Sequence, residues 1–218
     1  APDVAHLVRD SIYGIFYLIR RKSMEEVAEI VPYSRWALGI LVACVPTGLA
    51  GIFLRDWFEG MFGSLRVVGF ALLGTTALLA LTRYFQRNEK GLAQARYLDF
   101  LIIGVLQGIA ITPGISRSGA TIAAALFVGL KREDAFRFSF LLAIPTLDGA
   151  GLMEWRSGIA TWEWGWPVLA LGFLTSAFSG YLALHFLARV MERGKLHLFA
   201  GYTLALGLAI LFLAGRFE

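Results

Sequence analysis

The stretch WALGILVACVPTGLAGIFL (Trp36–Leu54) decides the fold class. It is apolar from end to end and close to the roughly 20 residues that carry a helix across a bilayer core of about 30 Å. Trp166–Ala188 and Leu196–Gly215 read the same way. The chain of 218 residues agrees with them, being 57% hydrophobic and only 17% charged. A soluble domain is about 45–50% apolar and about 25% charged. The expected fold is all-α, a polytopic transmembrane helical bundle. The short alternating strands of a β-barrel do not occur.

Further apolar stretches lie around these three, at Val4–Ile19, Leu65–Thr82, Tyr97–Thr112, Ala120–Leu130 and Ala135–Met153. Most of the lysines and arginines fall between them in clusters. These are Arg20, Arg21, Lys22 and Arg35; Arg83, Arg87, Lys90 and Arg96; Lys131, Arg132 and Arg137; and Arg189, Arg193 and Lys195. Cytoplasmic loops of membrane proteins are rich in Lys and Arg. The clusters are therefore placed in the cytoplasm, which puts the chain ends and the turn at Pro113–Gly119 on the outside. The net charge of +4 reports this orientation, and nucleic acid is not an expected partner. Cys44 is the only cysteine and sits in an apolar run, which excludes a disulfide framework or a cysteine metal site. The chain starts at Ala1 and shows no cleavable signal peptide. The expectation is a single integral membrane domain over residues 1–218 that lacks an N-terminal element.

The alternation of sides holds only if Ala120–Leu130 returns to the cytoplasm. As a helix that stretch is about 16 Å long, too short for the bilayer core. It is read as part of a re-entrant helix pair, and broken helices at membrane depth mark binding sites. The segments ACVPTGLAG (Ala43–Gly51) and LAIPTLDGAG (Leu142–Gly151) share Pro-Thr followed by small residues. They read either as an internal repeat or as a chance likeness among so many Ala, Gly and Leu residues.

The turn itself reads ITPGISRSGAT (Ile111–Thr121). Pro113 ends the preceding helix. Gly114 and Gly119 permit tight or left-handed backbone. Ser116 or Ser118 can cap the next helix, whose free N–H groups and partial positive charge suit an anion. Arg117 adds a planar, permanently charged fork matched to phosphate oxygens, and Thr121 adds a hydroxyl one turn on. Gly114, Arg117, Ser118, Gly119 and Thr121 are the expected phosphate-binding residues. The plainer reading, a capped turn whose arginine snorkels to lipid headgroups, accounts for the arginine but not for the hydroxyls and glycines around it.

PGISRSGAT (Pro113–Thr121) followed by GLKREDAFRFSFLLAIPT (Gly129–Thr146) closely resembles the second signature of the undecaprenyl-diphosphate phosphatase family, the bacitracin-resistance proteins. The similarity extends more loosely from about residue 35 to the C-terminus and includes Gln107. The resemblance implies hydrolysis of a polyprenyl diphosphate to the monophosphate at the outer face of the bacterial inner membrane. It implies that Arg117 holds the diphosphate and that Ser116, Ser118 and Thr121 assist, with Arg117, Ser116 and Ser118 as catalytic candidates. It also implies an interdigitated inverted-repeat bundle and a divalent cation, Mg²⁺ or Ca²⁺. The family's first signature, paired glutamates four apart and a serine-rich segment ending in Gly-His, has no match here. The metal ligands and the nucleophile that it would supply are not identifiable in this chain. The alternative expectation is a polyprenyl-phosphate carrier, flippase or anion transporter that uses the same cradle without hydrolysis. Expected partners are the polyprenyl diphosphate and membrane lipids, with homodimer formation left open.

Accessory candidates are few. His6 and Asp10 share a helix face near the outer end, where a solvated helix end is the plainer reading. Asp148 interrupts an apolar segment, either as a structural hydrogen-bond partner or in the site, with Arg117 as its expected counter-ion. Trp155, Trp162, Trp164 and Trp166 read as an interfacial aromatic belt. His185 and His197 have no companion at metal-ligand spacing and read as packing or interface residues.

Overall fold

The computed structural model describes residues 32–85, 87–156 and 165–217. Among the described residues the regular structure is helical: α1 (Pro32–Phe53), α2 (Arg55–Met61), α3 (Leu65–Leu81), α4 (Tyr97–Ile109), α5 (Arg117–Phe127), α6 (Arg132–Arg156), α7 (Gly165–Glu192) and α8 (Phe199–Phe217). Among the described residues five spans are long and apolar enough to cross a membrane: Arg35–Phe53, Leu65–Phe85, Arg132–Met153, Trp166–Glu192 and Leu196–Arg216. The chain is a multi-pass membrane protein. The apolar stretches read from the sequence map onto these helices, except Val4–Ile19, which lies outside the described residues. The short helix α2 is additional. It opens with an Arg55–Glu59 ion pair one turn apart, at 2.6 Å.

Local sequence sets the boundaries. The Ser64 hydroxyl accepts from the Val67 N–H and starts α3. The Asp99 carboxylate reaches back to the Arg96 N–H at 2.6 Å and starts α4. Pro46 and Pro145 lie inside α1 and α6. Each removes one backbone donor, which leaves a carbonyl one turn earlier without its usual partner.

Two close helix pairs frame the bundle, and both depend on missing side chains, as lipid-embedded packing favours. Between α1 and α4, a Cβ on Gly104 would stand 2.2 Å from the Ala43 carbonyl oxygen. The Thr47 hydroxyl uses that proximity to donate to the Gly104 carbonyl at 3.0 Å. Between α3 and α8, a Cβ on Gly69 would meet Leu211 at 2.6 Å. There Thr76 and Thr203 share a hydroxyl hydrogen bond of 2.9 Å. Helix α5 runs through the middle and is buried without a break from Gly119 to Leu126.

Helices α4 and α5 form a hairpin whose open end is fastened. Asn88 donates its amide to the Leu126 and Leu130 carbonyls at 2.6 and 3.2 Å. The Lys131 N–H donates to the Lys90 carbonyl at 2.9 Å. The Lys90 ammonium reaches both the Val128 carbonyl at 3.2 Å and the Asp99 carboxylate. The start of α4 and the end of α5 therefore lie together. With 13 and 11 residues, the two helices are only about 20 and about 16 Å long, and neither spans a core of about 30 Å. Helix α7 is exposed along nearly all of its apolar span.

Candidate functional site

The break between α4 and α5 carries the predicted turn. Gly114 takes φ +99, in the left-handed region, and a Cβ there would stand 2.6 Å from the Val68 carbonyl oxygen. Glycine is required at this point for both reasons. Thr75, buried on α3, fixes the turn from below. Its hydroxyl donates to the Gly114 carbonyl at 3.1 Å and accepts from the Ser116 N–H at 3.0 Å. Ser116 is the N-cap of α5 and accepts from the Gly119 N–H at 3.2 Å. Gly119 itself is helical. Its small size is what matters, because a Cβ would stand 3.0 Å from the Ser116 hydroxyl.

Arg117 is the first residue of α5 and is half-buried. It donates to the Thr146 hydroxyl on α6 at 2.5 Å. No carboxylate among the described residues pairs with it. The expected ion pair with Asp148 is corrected on this point. Asp148 is exposed and sits two residues beyond Thr146, and helix positions two apart do not share a face.

Each of the two Pro-Thr pairs receives one polar side chain from the hairpin. The Thr146 hydroxyl, which donates to the Leu142 and Ala143 carbonyls, accepts from Arg117. On the other flank Gln107, buried on α4, donates to the Thr47 hydroxyl at 3.1 Å, while its carbonyl oxygen is buried without a partner. The repeat of Pro-Thr is visible in the sequence, but nothing local marks Thr47, Thr75 or Thr146 as a hydrogen-bond partner. Their part depends on which way each bent helix turns its hydroxyl.

The structure separates the other predicted residues. Thr121 is fully buried and hydrogen-bonds to Ser139 and to the Arg117 carbonyl. Its hydroxyl braces α5 from within, so it is removed from the set of direct ligands. Ser116 and Ser118 line a cavity of about 440 Å³ that extends past Thr75 and Leu79 to Leu187 and Phe199. Arg117 is not in its wall and lies toward α1 and α6. At the mouth of α5 the N–H groups of Arg117 and Ser118 have no intrahelical acceptor, as at any helix start. The Ser118 hydroxyl has no protein partner among the described residues. His6 and Asp10 lie outside the described residues, as do Trp162 and Trp164. Trp155 and Trp166 are exposed. The described residues include no group of three or more His, Cys, Asp or Glu side chains that could hold a metal ion. The divalent cation that the resemblance implies has no set of ligands among the described residues.

A polytopic helical protein with a half-buried arginine at the mouth of a half-length helix, bonded to one threonine hydroxyl and to no carboxylate among the described residues, is a membrane protein that keeps a cation among its helices. The sequence comparisons narrow that class. The chain belongs to the bacitracin resistance protein BacA family, whose profile matches residues 4–209. An undecaprenyl-diphosphatase of Halothermothrix orenii is 41% identical over 199 residues, covering 88% of this chain and 77% of that protein. One of Methanothermobacter thermautotrophicus is 43% identical over 175 residues, covering 79% of this chain and 97% of that protein. One of Korarchaeum cryptofilum is 40% identical over 209 residues, covering 96% and 76%.

Proposed function

We propose that the protein is a membrane phosphatase that hydrolyses undecaprenyl diphosphate to the monophosphate and so returns a cell-wall lipid carrier to use. The observation that carries this reading is the Arg117 guanidinium, half-buried with a threonine and no carboxylate beside it. A cation in that setting is completed by an anionic ligand, because charge within a membrane protein is retained where it is paired or functional. The diphosphate supplies the anion, and the family supplies the reaction.

In this reading the terminal phosphoryl oxygens lie against Arg117, the free N–H groups at the start of α5 and the Ser118 hydroxyl. Water adds to the terminal phosphorus and the bridging P–O bond breaks. The electron pair of that bond goes to the polyprenyl monophosphate, and inorganic phosphate carries away the added oxygen. Phosphoryl transfer needs chiefly positioning and neutralisation of developing charge. Arg117 supplies both, with Thr146 fixing the guanidinium. Gly114, Ser116 and Thr75 hold the turn in shape.

We place the α4–α5 hairpin as re-entrant from the basic, cytoplasmic side of the cytoplasmic membrane, with the turn opening outward. The lengths of the two helices and the fastening at Asn88 and Lys90 support that placement. A carrier that uses the cradle without hydrolysis is not favoured, since the relatives bear the names of hydrolases.

The test is phosphate release from undecaprenyl diphosphate by the full-length protein and its Arg117→Ala variant. Loss of one preorganised charged donor is expected to lower kcat by about 100-fold or more. Turnover near wild type in the variant rejects the site. Lipid flux in liposomes without phosphate release restores the carrier.

A further inference from the structure

A second cavity, of about 430 Å³, opens where α7 ends and α8 begins. Its walls are apolar and include Phe186, Val190 and Leu198, while Arg189, Arg193 and Lys195 ring it. All three cations are exposed, and none has an ion-pair partner among the described residues. The nearest acid in sequence is Glu192, also exposed. The backbone carbonyl of Glu192 accepts from Arg132 at 3.2 Å, which brings a fourth cation to the same corner. Phe199 and Tyr202 line this cavity on one side and the cavity beside Ser116 and Ser118 on the other.

A greasy slot capped by clustered cations, at the basic end of two membrane helices, combines two demands on one occupant. It must carry a hydrocarbon chain and a phosphate. We infer that this cavity binds an anionic phospholipid of the leaflet on the basic side. Its headgroup phosphate lies on Arg189, Arg193 and Lys195, and an acyl chain lies along Phe186, Val190 and Leu198. Basic pockets between membrane helices on that side recognise such headgroups. Substrate binding at the Arg117 turn is a separate event. The cavity shares only Phe199 and Tyr202 with the one beside Ser116 and Ser118, and neither includes Arg117.

The test is native mass spectrometry of the full-length protein in detergent, titrated with phosphatidylglycerol or with phosphatidylcholine. Retention of phosphatidylglycerol over phosphatidylcholine is expected. The R189Q/R193Q/K195Q variant should bind it on the order of 100-fold more weakly, from the contribution of each cation. V190W, which fills the slot and keeps every charge, should also lose it. R83Q/R87Q/R96Q, which removes as much charge from another basic loop, should not. Equal loss in that control would reduce the effect to general surface charge and overturn the site. So would V190W retaining the lipid. Displacement by inorganic phosphate as effective as by phosphatidylglycerol would remove the acyl chain from the proposal, and preferential retention of polyprenyl phosphate would assign the slot to substrate. The readout is bound lipid, so the outcome stands apart from whether the protein hydrolyses a diphosphate.

Discussion

Ser116 caps α5 with its side chain and meets Thr75 with its backbone N–H, and substitution can separate those tasks from ligand binding. Ser116→Ala removes the cap and is expected to cost about 1 kcal/mol, read as a lowered Tm in detergent. Ser116→Asp keeps a capping oxygen but sets a negative charge beside Arg117. That variant should keep a Tm near wild type and lose most of its turnover. Wild-type hydrolysis by Ser116→Asp would place the diphosphate elsewhere. The residues of this turn were legible because their constraint is local. A positive φ needs glycine, and a helix start needs a serine or its like. The surroundings of Arg117 were not legible. Whether Thr146 or Asp148 meets it depends on how α6 turns on either side of Pro145, and no local pattern encodes that.

At the scale of elements, the close contacts of α1 with α4 and of α3 with α8 respond differently to the same change. A methyl on Gly104 meets a backbone carbonyl, which cannot move unless the helices part. A methyl on Gly69 meets Cγ and Cδ2 of the Leu211 side chain, which has more freedom to shift than a backbone carbonyl. Gly104→Ala is expected to destabilise by about 1–3 kcal/mol, the usual cost of overpacking, and Gly69→Ala by less. Thermal unfolding of both variants in one detergent checks the order, and the reverse order contradicts the α1–α4 packing. Helix existence was written in the apolar runs, and the shortness of α5 could be read directly from Ala120–Leu130. The short helix α2 is not legible in the same way, because seven residues of mixed polarity between two spans resemble a loop. Its Arg55 and Glu59, one turn apart, were the available sign.

Across the whole molecule, the all-α membrane bundle was readable from composition alone, because a bilayer demands long apolar helices whatever their sequence. The pairing of helices was not. Small residues are common throughout the chain, and many possible contacts look alike until Gly104 meets Ala43 and Thr76 meets Thr203. The fastening of the hairpin by Asn88 and Lys90 was also hidden. These residues lie in a stretch that reads as a solvated loop, yet they hold the carbonyls at the end of α5.

The limited length of α5 has an electrical consequence. With the hairpin placed as proposed, the turn stands roughly halfway through the insulating layer, at the end of a helix about 16 Å long. A headgroup entering from outside must cross about half of the transmembrane voltage. Each of its negative charges then works against an inside-negative potential by about 1 kcal/mol per 100 mV, about a five-fold rise in apparent KM. Proteoliposomes polarised with a potassium gradient can measure this. A KM that falls as the interior becomes more negative would mean that the turn opens toward the basic side instead.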